Sequence, residues 1–191
     1  MNVIEAIHGR RSIRSYRPDP IDRAVLEDIV WAAAQAPTPP VSGDMPWDFC
    51  VFEGIDRIDD YGVRAKRYAK EHQPPGRPWT WADRPDFRVF WGAPALLLIC
   101  SSSKNPEALF DCCRAGQNVL LAAHHHGLGS CWVGAPMPWL QSQGVVQELG
   151  LPEGSEPAVA IVLGYAAESP KGNPRPRPLL VWRGGADSPL P

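Results

Sequence analysis

Two rhythms of apolar residues alternate along the chain: helical recurrences every three to four positions, and short unbroken runs that read as strands. Residues 2–9 predict a short helix ending near Gly9. The next helix is better specified. Asp22 caps it, Ile21 and Leu26 occupy the positions that staple a helix start, and apolar residues recur at 25, 26, 29, 30, 33 and 36. Small residues at its far end allow close packing, and Pro37 stops it. A strand is predicted over 48–52 and a basic helix over 56–72, carrying Arg64, Lys66, Arg67 and Lys70. Residues 95–101 form a run that is apolar on both faces, as a fully buried strand is.

Asn105 and Pro106 give an N-cap followed by proline in the first turn, opening a helix that runs to about His126. Its apolar positions (109, 110, 112, 113, 116, 119, 120 and 123) cover much of the circumference, so it is expected to be central and largely buried. Residues 127–136 read as a glycine-punctuated strand, 138–149 as another helix and 156–165 as a second buried strand. The proline-rich last 26 residues, with Arg175 and Arg177, read as an extended arm.

Two loops do not follow either rhythm. Residues 37–47 are stiffened by prolines and end in Trp47, so they either wall a flat ligand or act as a rigid connector. Residues 73–88 hold Trp79 and Trp81 among prolines, which is too aromatic for a plain linker, and predict a lid or a subunit contact.

Composition narrows the class. A chain of 191 residues with 44% hydrophobic and 21% charged residues is expected to be a single globular domain over 1–191. A net charge of −2 argues against general nucleic-acid binding, and no apolar run is long enough to span a membrane. The five cysteines form no CxxC pair and sit mostly in apolar surroundings, which suits a reducing cytoplasm.

The candidate chemistry starts at Arg10, Arg11 and Arg14, three guanidinium groups within five residues with the Ser12 hydroxyl between them. They either converge on a polyanion such as a phosphate or form a solvated basic face. Arg10-Arg11 is no export signal, because the apolar stretch such a signal needs does not follow it. His124, His125 and His126 are consecutive on a helix and about 100° apart, too divergent to share one metal ion. The segment 127–134 is not a GxGxxG opening a helix, so a dinucleotide-binding fold is unsupported.

Taken in order, these segments resemble the FMN-dependent nitroreductase family over nearly the whole chain. The elements are Arg10-Arg11-Ser12-x-Arg14, Ala36-Pro37-Thr38 through Met45-Pro46-Trp47, and Ala93-Pro94 before a strand. They continue with Gln117-Asn118-x-Leu120-Leu121-Ala122-Ala123, Gly127-Leu128-Gly129-Ser130-Cys131-Trp132, Leu163-Gly164-Tyr165 and Arg175-x-Arg177.

The resemblance implies an α+β fold, a mixed and mostly antiparallel sheet flanked by helices, with the C-terminal arm reaching onto a partner in an obligate homodimer that holds FMN at its interface. By position it implies that Arg10, Arg11, Ser12 and Arg14 hold the phosphate and ribityl chain, with Arg175 and Arg177 approaching the same phosphate. Pro37, Thr38 and Pro39 would line the ring from the other subunit. Trp132, Val133 and Gly134, with Ala135, would lie along the isoalloxazine and present a backbone N–H near N5.

One departure stands out. Gly43-Asp44-Met45 replaces the amide residues the family carries before Pro46-Trp47, placing a carboxylate where an amide is expected. The implied activity is oxidation of NADH or NADPH and reduction of a nitroaromatic or quinone-like acceptor in ping-pong order. The alternatives are a flavin-dependent tailoring dehydrogenase, a non-catalytic flavin-binding protein, or a structural domain whose arginines are merely surface.

Overall fold

A computed structural model describes residues 1–39, 45–76, 78–102, 107–172 and 175–183. The expected interchange of helices and strands is present. In order these are α1 (Val3–Gly9), α2 (Arg23–Ala33), β1 (Trp47–Glu53), α3 (Ile55–Glu71), β2 (Ala95–Ser101), α4 (Ala108–His125), β3 (Gly129–Trp132), α5 (Met137–Leu140), α6 (Val145–Glu148) and β4 (Glu156–Gly164).

The strands form one sheet in the order β1-β2-β4-β3, each neighbouring pair antiparallel. With helices on both faces, the architecture is α+β. The central strands β2 and β4 explain the continuous apolar runs, because each buries side chains on both faces. Leu97, Ile99, Ile161 and Leu163 join a core with Ile29 and Ala33 of α2 and Val119 of α4. Leu96, Leu98 and Val162 join a second core with Ile58 of α3 and Leu140 of α5. Each such fully buried aliphatic side chain contributes about 1.5–3 kcal/mol relative to an exposed one.

Local chemistry set the helix starts. Asn2 and Glu5 form a reciprocal capping box on α1, and the Asp22 carboxylate accepts the Ala24 N–H at the start of α2. The α2–α4 pairing uses the small residues predicted to allow it, and the Asn118 side chain donates to the Ala32 carbonyl at 3.1 Å. The Asn105–Pro106 cap lies outside the described residues.

Three expectations need correction. The helix predicted over 138–149 is two short helices, because Gly144 takes a left-handed conformation (φ 87°) and breaks the turn between them. The helix predicted to be buried around most of its circumference is buried on one face. Leu109 and Phe110 of α4 remain 49% and 60% exposed. Trp47 is no ligand wall but part of the first core, at 3% exposure.

The aromatic segment 73–88 contains a short 3-10 turn, Thr80–Asp83, laid against α3. Trp81, Phe87 and Trp91 follow one another in ring contact at 5.8 and 6.4 Å, and Lys66 of α3 donates to the Phe87 carbonyl. The segment is thus packed as a cover over the second core rather than being a plain linker. No helix among the described residues is long and apolar enough to cross a membrane.

Candidate functional site

The site grows from the chain that leaves α1. Past Gly9 the backbone turns extended and runs beside β3, with Ser12 bridging Ser130 in parallel and the Ile13 N–H donating to the Ser130 carbonyl at 3.0 Å. This parallel bridge is the mixed element of an otherwise antiparallel sheet. Glycine is required opposite it, because a Cβ at Gly129 would stand 2.9 Å from the Ile13 Cβ.

The segment after β4 closes the other side. Tyr16 bridges Ala166, the Arg17 N–H donates to Tyr165, the Ala167 N–H donates to Ser15, and the Arg14 N–H donates to the Glu168 carboxylate at 2.8 Å.

Between these layers lies a cleft of about 370 Å³, lined in part by Arg10, Arg11, His124, Ser130 and Glu168. Arg10 is half-buried, and its guanidinium pKa is lowered from the ordinary value. Burial is the main cause, and the charges of Arg175 and Arg11 add to it. Arg175 of the arm thus stands close enough for its charge to act on Arg10, although it is exposed. The imidazole of His124 closes over Gly9, where an added Cβ would be 2.9 Å from Nε2. Its pKa is lowered too, by burial first and then by Arg10 and Arg11. The Ser130 hydroxyl is buried and has no hydrogen-bond partner among the described residues. Cations crowded against one another beside an orphaned buried hydroxyl are a cradle for an anion with several acceptor oxygens.

The predicted residues divide. Arg10 and Arg11 line this cleft, although Arg11 also caps α1 by donating to the His8 and Arg10 carbonyls at 2.7 and 2.8 Å. Ser12 shares a hydrogen bond with the Cys131 thiol on the opposite side of the strand. Arg14 is stacked over the Trp91 ring at 5.5 Å, and Trp91 holds a left-handed backbone conformation (φ 51°) that is costly for a bulky residue. Arg177 lies on the exposed arm.

Trp132 turns its ring into the core against Gly116, Val133 is buried, and the Val133 N–H donates to the Ala160 carbonyl. Their side chains thus belong to the core. Gly134 follows as an exposed strand end, with open space where a Cβ would project and no backbone partner for its N–H among the described residues. Pro37, Thr38 and Pro39 are pinned to α4 through the Thr38 hydroxyl, which donates to Asp111 at 2.9 Å. Asp44 lies outside the described residues.

Sequence reasoning missed His124, Ser130 and Glu168 as cleft residues. The signal for His124 was weak: one histidine among three in the last turn of a helix, readable only once Gly9 is known to sit beneath it. Among the described residues no group of three or more His, Cys, Asp or Glu side chains could hold a metal ion.

The nitroreductase family model matches residues 7–165. A protein of Methanothermobacter thermautotrophicus, provisionally named NADH dehydrogenase/NAD(P)H nitroreductase, is 30% identical over 180 residues, covering 89% of this chain and 80% of the relative. The oxygen-insensitive NADPH nitroreductase of Salmonella typhimurium is 31% identical over 187 residues, covering 94% of this chain and 72% of the relative. Among solved structures, a nitroreductase with bound FMN from Bacteroides fragilis superposes with a TM-score of 0.81 at 25% identity, covering 93% of this chain and 95% of the other.

Proposed function

The chain belongs to the nitroreductase family, and on that premise we propose that it is an FMN-dependent oxidoreductase taking electrons from NADH or NADPH and passing them to nitroaromatic or quinone-like acceptors. The observation that carries the reading is that Arg10 and Arg11 line one cleft, with the charge of Arg175 acting on Arg10, beside a buried Ser130 hydroxyl that has no partner among the described residues. A phosphate monoester supplies the charge and the acceptor oxygens that these groups lack.

When bound, FMN supplies a ring that accepts a hydride and later gives it up. The chain holds and surrounds it. Arg10 and Arg175 would neutralise the phosphate, and Ser12 and Arg14, farther along the same extended segment, would serve the ribityl chain. Gly134, two residues beyond β3, would offer its backbone N–H to the negative charge of the reduced ring. Pro37, Thr38 and Pro39 of a second copy line the ring from across the interface. One pocket that serves donor and acceptor in turn gives ping-pong kinetics.

A homodimer accounts for the apolar surface left uncovered. Leu109 and Phe110 of α4, together with Leu179 and Trp182 of the arm at 90% and 81% exposure, need a second copy to bury them. Five free thiols suit a cytoplasmic setting.

The test is the visible spectrum of the purified protein, followed by anaerobic titration with NADH and NADPH and steady-state turnover with a nitroaromatic and a quinone. A flavin spectrum bleached by either nucleotide, with parallel double-reciprocal plots, is expected. Colourless protein that takes up no FMN refutes the reading, and bound FMN without turnover leaves a flavin-binding protein.

A further inference from the structure

His124 has no place in the reading so far, yet it forms one wall of the arginine cleft. Its ring lies over Gly9, the last residue of α1, where an added Cβ would stand 2.9 Å from Nε2. The charged groups packed around it come from three directions. Arg10 and Arg11 follow α1, Glu168 of the arm stands across the cleft, and on its own helix His126 faces Asp28 of α2 at 3.4 Å while His125 is exposed. The Glu168 carboxylate accepts the Arg14 N–H and keeps its charge, but the charges that act on His124 are those of Arg10 and Arg11. Next to those cations and partly desolvated, a protonated imidazole is disfavoured. A dianion placed among the same groups reverses that preference, because it interacts with the imidazolium and screens the arginines.

We propose that His124 is a fourth cationic ligand of the phosphate in this cleft, neutral while the cleft is empty and protonated when a phosphate monoester binds. The proposal rests on the FMN reading and adds to it that cofactor binding takes up a proton from solvent at His124. The sign follows from linkage. The imidazole binds its proton more tightly in the complex than in the free chain, so affinity for the phosphate rises as pH falls between the two values. The phosphate contributes oppositely, since its second ionisation lies near pH 6 and the cleft selects the dianion. Removing His124 therefore turns net proton uptake into release.

The experiment is calorimetric titration of the flavin-free chain with FMN, riboflavin and inorganic phosphate, in buffers of different ionisation heat between pH 6 and 8. Wild type is compared with His124→Gln, which keeps a hydrogen-bonding side chain that does not titrate. Wild type is expected to take up more protons per FMN than the variant and to bind FMN about tenfold more tightly than the variant at pH 6, a gap that narrows toward pH 8. Riboflavin, lacking the phosphate, should show no difference between the two proteins. Equal proton counts and equal FMN affinities in wild type and variant overturn the role of His124 while leaving the cofactor reading intact. A chain that takes up neither FMN nor inorganic phosphate overturns both.

Discussion

The Thr38 hydroxyl donates to the Asp111 carboxylate at 2.9 Å, joining the proline-stiff segment after α2 to the buried first turn of α4 across 73 positions. Asp111 is only 3% exposed, and Arg114 supplies its other donor. Substituting Thr38→Val leaves a buried carboxylate short of a partner and frees the 37–39 segment. The expected loss is about 1–3 kcal/mol, the usual cost of an unsatisfied buried acceptor, measured by urea unfolding. If that segment lines a flavin across the dimer, FMN affinity should fall in the same variant.

Gly116 fixes where Trp132 lies. A Cβ there would be 2.7 Å from the Trp132 ring and 3.3 Å from Val159. Because the ring must shift and it sits two residues before Gly134, Gly116→Ala is expected to destabilise the fold by about 1–3 kcal/mol. Thermal unfolding reads this loss. An unchanged melting temperature would show that the strand end tolerates the displacement.

Arg10 carries the cofactor reading most directly. A charge-assisted bond to phosphate contributes roughly 1.5–3 kcal/mol, so Arg10→Ala should weaken FMN binding by about tenfold or more. Riboflavin binding should change little. Arg14, stacked on Trp91, should produce a smaller difference between the two flavins than Arg10 does, and fluorescence titration separates the two cases.

The exposed apolar residues of α4 predict the assembly. Phe110→Glu places a charge on the surface proposed to be shared by two copies, and sedimentation should show a shift from dimer to monomer at micromolar concentration. A wild-type chain that sediments as a monomer with FMN bound would contradict the dimer.

The thiols should react in a fixed order. Cys50 is half-exposed, and a hydrogen bond with Cys100 lowers its pKa, whereas burial pushes Cys112 up to about 12 and also raises Cys113. The thiolate is the reactive form, so iodoacetamide near neutral pH should label Cys50 first, Cys113 more slowly, and the buried Cys100, Cys112 and Cys131 only on unfolding. Peptide mass spectrometry over time gives the order.

Local physics made much of the fold legible from the sequence. Asp22 before an apolar recurrence and the unbroken apolar runs within 95–101 and 156–164 each specify their element without outside help, because capping and two-sided burial are written in adjacent residues. The arginine run and the Arg175 position were legible as candidates by motif. What only the tertiary structure decided is which side each residue faces. Ser12 and Ser130 sit opposite one another, yet the first acts on Cys131 while the second keeps its hydroxyl buried beside the cleft, a consequence of strand pleat and pairing between distant segments. His124 became a cleft residue because Gly9 lets α1 approach α4 closely. The break at Gly144 likewise depended on one left-handed glycine, whose φ no hydrophobic rhythm encodes. Short-range order follows from neighbours in the chain, whereas the site is set by long-range pairing that closes only when the core packs.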